Sequence, residues 1–212
     1  MSNAGYDYLR DPNAIYAASF EAIAKETDLS SVPDDLRDVA LRLVHAVGDP
    51  NVIEDFAWSG AAGTAGHTAL ASGAPILTDS RMLADGIIRR ALPANNRVIC
   101  TLGLGSVAGN AAREEITRSA AAVDLWAPFL EGAIATIGNA PTALFRLLEG
   151  LEAGWPKPAL IVGLPVGYVG AAESKSALIN AAPAPYITVR RRRGGSALAA
   201  AAVNALARGA TA

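Results

Sequence analysis

The 212-residue chain has one cysteine, two histidines and no apolar run of the roughly 18 residues that a membrane-spanning helix needs. Each scarcity removes a class of function. Cys100 alone provides neither a disulfide framework nor a thiolate metal cluster, which suits a cytoplasmic protein. Two histidines without clustered carboxylates give no metal site. Aromatic residues make up 6% of the sequence and charged residues 18%, and the net charge is −2. No broad basic surface marks a nucleic-acid binder, so any anion recognition must rest on local arginines. Met1 to Arg10 carry no apolar signal-peptide core. Ser2-Asn3-Ala4 reads as the leftover of an expression tag, and residues 1–5 are expected to be disordered or foreign to the fold. No glycine spacing ends in Gly-Lys-Ser/Thr as a phosphate loop would, and Gly167-Tyr168-Val169-Gly170 lacks the full dinucleotide fingerprint. No cofactor is expected from these residues.

What the chain does have is alanine, glycine and short aliphatic runs. Hydrophobic residues reach 51%, a level that points to closely packed helices over a well-covered sheet. Five apolar runs, at 74–78, 97–102, 133–137, 159–164 and 186–189, do not alternate with polar residues. Strands buried on both faces of a parallel sheet have this character. Helical patterns lie at about 12–26, 33–47, 61–72, 80–90, 113–126, 141–153, 170–180 and 196–208. The repeated strand–helix order predicts an α/β, flavodoxin-like, doubly wound five-stranded sheet, mostly parallel, with helices on both faces. Residues 6–50 form an N-terminal helical part of a single domain covering 1–212.

In such sheets ligands bind at the carboxyl ends of the strands, near the reversal of strand order. That nominates Thr78 and Asp79 after the first run, Gly138 and Asn139 after the third, Gly167 after the fourth, and Gly195 beyond Arg190 to Arg193. The backbone amides of Gly138, Asn139, Gly167 and Gly195 are expected to meet anionic groups at helix starts. A separate signal lies in the helix at 33–47. Leu36, Val39, Ala40, Leu43 and Val47 form its apolar stripe. His45 falls about half a turn from the stripe's centre, on the side of Asp38, Leu41 and Arg42. Its imidazole, which changes charge near neutral pH, is therefore expected to face a cleft, a partner or solvent. His67 reads as structural or exposed, and Cys100 as an inert thiol in a buried strand.

Together these segments resemble the precorrin-8X methylmutase family of corrin biosynthesis. The resemblance rests on Tyr6-Asp7-Tyr8, Asn13-Ala14-Ile15-Tyr16, Ser19-Phe20, Arg42-Leu43-Val44-His45-Ala46, Gly73-Ala74-Pro75-Ile76-Leu77 and Val98-Ile99-Cys100-Thr101-Leu102. It continues through Thr117-Arg118-Ser119-Ala120-Ala121, the run from Ile137 to Phe145, the run from Gly163 to Lys175 and Gly194-Gly195-Ser196-Ala197. The resemblance implies an isomerase that moves a methyl group from C11 to C12 of a tetrapyrrole to give hydrogenobyrinate or its cobalt counterpart, with no cofactor consumed. It implies His45 as proton donor and acceptor, Ser19 and Arg42 as substrate contacts, and a homodimer with its site near the subunit interface. Arg118 and Ser119, at the start of a small-residue helix, are expected to add a carboxylate contact, and Asp79 to contact a pyrrole N–H or to position an arginine. Substrate and corrinoid product are the partners implied, with neither nucleic acid nor membrane. A non-catalytic tetrapyrrole carrier is the competing reading. The chain departs from the family pattern at Val47, at Gly103 to Asn110 and in the strongly basic run Arg190 to Arg193, which is read as gripping either further carboxylates or a partner chain.

Overall fold

A computed structural model describes residues 6–210; the reading of residues 1–5 lies outside them. Asp11 caps the first helix, α1 (Pro12–Glu26), accepting from the Ala14 N–H at 2.7 Å. A 3₁₀ turn at Asp34–Leu36 leads into α2 (Arg37–Val47), and a second at Pro50–Asp55 leads into β1 (Phe56–Trp58). There follow α3 (Ala62–Ala71), β2 (Ile76–Thr78), α4 (Arg81–Gly86), β3 (Val98–Cys100), α5 (Gly105–Arg113) and α6 (Arg118–Val123). The chain ends with β4 (Ile134–Ile137), α7 (Pro141–Glu152), β5 (Leu160–Gly163), α8 (Ala171–Ala181), β6 (Tyr186–Val189) and α9 (Ser196–Gly209).

The strands form one sheet in the order β1-β6-β5-β4-β2-β3. From β6 to β3 all pairings are parallel. The direction of winding reverses between β2 and β4, which is the doubly wound pattern read from the sequence. Side chains alternate between two cores as the pleat requires. Ile76, Ile134, Leu160 and Ile187 face the helices α2, α3, α4 and α9, whereas Leu77, Ala135, Ile137 and Ile161 face α7 and α8. The alanines of α9 (Ala199, Ala202, Ala205 and Ala207) are all buried, and their small size lets α2 and α3 pack close to it.

Four local readings are corrected. The sheet has a sixth strand, because Phe56-Ala57-Trp58 pairs antiparallel with β6; three residues are too few to show a strand period. The glycine-rich stretch 103–110 holds a helix, α5, because Val107 and Ala111, one turn apart, bury themselves against Ala121 and Ala122. That packing overrides two poor helix formers, Gly105 and Gly109. The helix expected at 113–126 starts later, at Arg118, since Glu115 takes a left-handed turn (φ 53°) and Thr117 caps α6 by accepting from the Ala120 N–H. At the sheet edge, β3 is only half-buried, so Cys100 does not sit in a fully covered strand.

Two buried charges hold the carboxyl edge together. The Asp79 carboxylate, 1% exposed, accepts from the backbone N–H of Gly138 at 3.0 Å, Asn139 at 2.9 Å and Ala140 at 2.8 Å. Burial raises its pKa above the ordinary carboxylate value, and the three N–H donors oppose that rise. The start of α9 covers the same spot so closely that a Cβ at Gly138 would lie 2.8 Å from the Ser196 Cα. The second charge is Lys175, fully buried on α8, whose Nζ donates to the Arg193 carbonyl at 2.5 Å. It points inward, whereas Glu173 on the same helix is exposed. Burial lowers the Lys175 pKa to about 8, and Asp55 pulls it the other way.

Replacing Asp79 with Ala leaves three backbone donors without an acceptor and should cost about 3 kcal/mol of stability, read as a fall in the urea midpoint; Asp79→Asn should fall between the two. For Lys175 the folded pKa lies below the unfolded one, so between about pH 8 and pH 10.5 the unfolded chain binds more protons and stability gains with rising pH. Lys175→Met should remove that gain, so the stability of wild type relative to the variant should increase across this window in urea titrations at a series of pH values.

Candidate active site

Helix α2 buries Val39, Ala40, Leu43 and Val44, with Leu36 buried just before it. The stripe predicted from spacing is present except at its end: Val44 is inside and Val47 is exposed. The reason is the helix stop. Gly48 turns the chain in a left-handed conformation (φ 65°), its N–H returning to the Val44 carbonyl at 2.8 Å, and Val47 projects beyond the core. His45, on the opposite side, is exposed.

What His45 meets is α1. This helix has no buried residue of its own and lies against α2 through half-buried Ser19, Phe20 and Ile23. The His45 imidazole stacks on Phe20, ring centres 5.2 Å apart and planes 23° from parallel. The Arg42 guanidinium lies 4.7 Å from the Phe20 ring centre and 5.0 Å from that of Tyr16. Tyr16 and Phe20, one turn apart, stack at 4.6 Å, and the Tyr16 hydroxyl accepts from Arg208 Nη1 at 2.7 Å. Cations and rings therefore alternate along one face, with His45 at its end.

Arg42 is the unusual member. Its Nε and Nη2 are buried and have no hydrogen-bond partner among the described residues. The nearest carboxylate, Asp38, is 4.0 Å from Nε, beyond hydrogen-bond range. Burial raises the Asp38 carboxyl above its ordinary value, an effect His67 partly offsets. His67 itself is half-buried on α3, packed where Gly209 leaves it room. Ser19 Oγ donates to the Ile15 carbonyl at 2.8 Å, which leaves its oxygen able to accept.

Arg42 and His45, one turn apart on α2, thus share the surface against which α1 lays Phe20, with Ser19 beside it in the chain. The strand-end candidates do not join them. Thr78 is fully buried and donates to the Ile99 carbonyl. Asp79 meets backbone amides, not a pyrrole N–H or an arginine. The amides of Gly138 and Asn139 donate to Asp79, that of Gly195 to the Leu164 carbonyl and that of Gly167 to the Arg192 carbonyl. All four amides expected to meet a ligand anion are engaged within the fold. The reversal point is filled by the protein's own carboxylate and by α9, so the usual crevice is closed there. Arg118 and Ser119 sit on α6, which packs with α7 across the sheet from α2. The cavity of about 420 Å³ next to them is lined by Glu114, Glu115 and Glu149 and by Arg146, whose guanidinium is already paired with Asp124 and Glu149, a poor place for a polyanion.

Sequence reasoning missed Tyr16, Phe20 and Arg208. Tyr16 and Phe20 carried a signal, their separation by one helical turn on a helix with a weak apolar stripe. Arg208 carried none, being 192 residues from the tyrosine it bonds. The positive loop at 190–193 lies at the same end of the molecule. Arg193 Nη2 pairs at 3.2 Å with Asp49, the residue after the Gly48 turn that ends α2. Among the described residues there is no group of three or more His, Cys, Asp or Glu able to hold a metal ion, and no helix long and apolar enough to cross a membrane.

A family model described as precorrin-8X methylmutase matches residues 14–209. The precorrin-8X methylmutase of Pseudomonas aeruginosa is 56% identical over 202 residues, spanning 95% of this chain and 97% of that protein. One from a Sinorhizobium species is 52% identical over 204 residues, with 96% and 97% covered. Among solved structures, precorrin-8X methyl mutase from Thermus thermophilus superposes with a TM-score of 0.85 at 37% identity, covering 93% of this chain and 96% of that one.

Proposed function

Because the chain belongs to the precorrin-8X methylmutase family, the methyl-migrating isomerases of cobalamin biosynthesis, we propose that it binds precorrin-8X or its cobalt equivalent against the α1–α2 face and that His45 is the proton donor and acceptor. One observation carries this reading. Arg42 holds two buried guanidinium nitrogens without a hydrogen-bond partner beside an exposed imidazole. A buried donor of that kind is costly unless something accepts from it. A carboxylate arm of the macrocycle supplies the acceptor, and the guanidinium fork suits it. Tyr16 and Phe20 offer apolar faces to a flat conjugated ring. Ser19 accepts or donates at the ring's edge.

His45 then protonates a ring nitrogen, which draws electron density out of the conjugated system and leaves C12 electron-poor, ready to accept the methyl group with its bonding pair. The methyl group leaves C11 and bonds to C12 within the same molecule, formally a 1,5-sigmatropic shift. The proton returns to His45, so substrate and product are isomers and no oxidant, reductant or methyl donor takes part. Phe20, stacked on the imidazole, sets the ring's orientation while leaving its nitrogens free to transfer the proton.

The same proposal includes a homodimer with the site near the interface. Its support is the extended segment before α1, where Tyr6, Tyr8 and Leu9 are exposed, together with exposed Ile15 and Tyr16 on α1 itself. Contiguous apolar surface of this kind beside a site suits a second copy. A cytoplasmic location is also proposed, on the single cysteine.

Mixing the protein with precorrin-8X should change the absorption spectrum to that of hydrogenobyrinate. His45→Ala should lower kcat by about 10²- to 10⁴-fold while still binding the product. A bound but unchanged chromophore with the wild-type protein would instead identify a carrier, and loss of binding by a folded His45→Ala would remove the proton-transfer role. Sedimentation equilibrium should return twice the 21.7 kDa chain mass; a single-chain mass would refute the dimer.

A further inference from the structure

We propose that Arg191, Arg192 and Arg193 form a second subsite, which takes carboxylate arms of the ring that His45 acts on; this rests on the reading of the α1–α2 face as the macrocycle site. The loop that carries them follows β6 and is anchored at successive backbone points. The Arg190 N–H donates to the Asp55 carbonyl at 2.7 Å, the Arg192 carbonyl accepts from Gly167, and the Arg193 carbonyl accepts from buried Lys175. Arg191 is held in a left-handed conformation, φ 60°, that a non-glycine residue seldom adopts and that persists only where the surroundings impose it. Gly195, at φ 125°, brings the chain back into α9.

With its backbone fixed, the loop presents its guanidinium groups around a cavity of about 400 Å³ lined by Asp55, Ala172, Arg191, Arg192 and Arg193. Two carboxylates orient the cations without using up their donors. Asp55, itself buried, is 3.2 Å from Arg191 Nε, and Asp49 is 3.2 Å from Arg193 Nη2. A guanidinium has five N–H donors, so most remain for a ligand. Arg192 has no ion pair among the described residues and lies over the Tyr168 ring at 4.8 Å. Tyr168 and Val169 are 83% and 89% exposed. The result is a cationic recess with an apolar rim.

That combination fits the edge of a flat ring that carries carboxylate arms, and does not fit a neutral or cationic ligand. Its position fits as well. The Arg193–Asp49 ion pair ties the loop to the chain just after the Gly48 turn that ends the helix carrying His45, so a macrocycle resting on the α1–α2 face extends its arms towards the loop. The acidic cavity beside α6 offers no competing grip for those arms.

The test is a binding titration with hydrogenobyrinic acid, followed by absorption, for wild type, Arg192→Gln and Arg192→Gln/Arg193→Gln, repeated with a product analogue whose carboxyl arms are amidated. The double variant should bind the acid about tenfold more weakly. Wild type should lose a similar factor on the amidated analogue, and the double variant should discriminate little between the two ligands. Thermal melts check the fold; if the double variant, which frees Asp49, melts early, Arg192→Gln alone decides, with a smaller shift in the same direction. Unchanged affinity in a folded variant overturns the subsite while leaving the His45 reading intact. A change in sedimentation mass without a change in affinity also overturns it, and makes the loop a contact between copies. Wild-type protein that neither binds the acid nor converts precorrin-8X brings down both proposals.

Discussion

The carboxylate of Asp79, gripped by three consecutive backbone N–H groups at the entrance to α7, determines where this molecule can work. In a doubly wound sheet the reversal of strand order opens a crevice, and helix starts around it attract anions. Here the chain supplies its own anion. The β4–α7 turn is tied to β2, Ser196 and Ser80 join their hydroxyls at 3.0 Å above it, and α9 descends onto Gly138. A site that many such folds give to a ligand has become part of the scaffold. The imidazole proposed to transfer the proton is carried by a helix that precedes the first parallel strand.

The division between what was legible in the sequence and what was not follows from the range of the interactions involved. Five parallel strands show as aliphatic runs, four of them because they are covered on both faces, whereas β3 at the sheet edge is half-buried. The side of α2 that bears His45 shows because helical spacing is local and strong. β1 does not show, since its three residues become a strand only by pairing with β6, more than 120 residues later. α5 does not show because its glycines argue against a helix and only the contact with α6 overrules them. The strand-end amides look available in sequence because nothing local reveals their acceptors: Asp79 lies 59 to 61 residues from the turn it caps. Ser19, Arg42 and His45 were named together through a family likeness, whereas the rings of Tyr16 and Phe20, which join them physically, were not.

Charge is distributed around this framework with a consistent sign. The face beyond α6 and α7 carries glutamates, and the end of the sheet near α2 carries Arg42 and the loop at 190–193. Lys175 adds a buried positive charge beneath that loop, opposed by Asp55.

Helix α1 buries none of its own residues, yet it provides two of the rings that flank Arg42 and His45. Its attachment consists largely of the contacts that build the site: Phe20 with His45, Tyr16 with Arg208, and Arg42 with both rings. Docking of this helix and assembly of the reaction surface are therefore one equilibrium. By reciprocity, whatever spans those side chains fastens the helix by as much free energy as the docked helix lends to its capture.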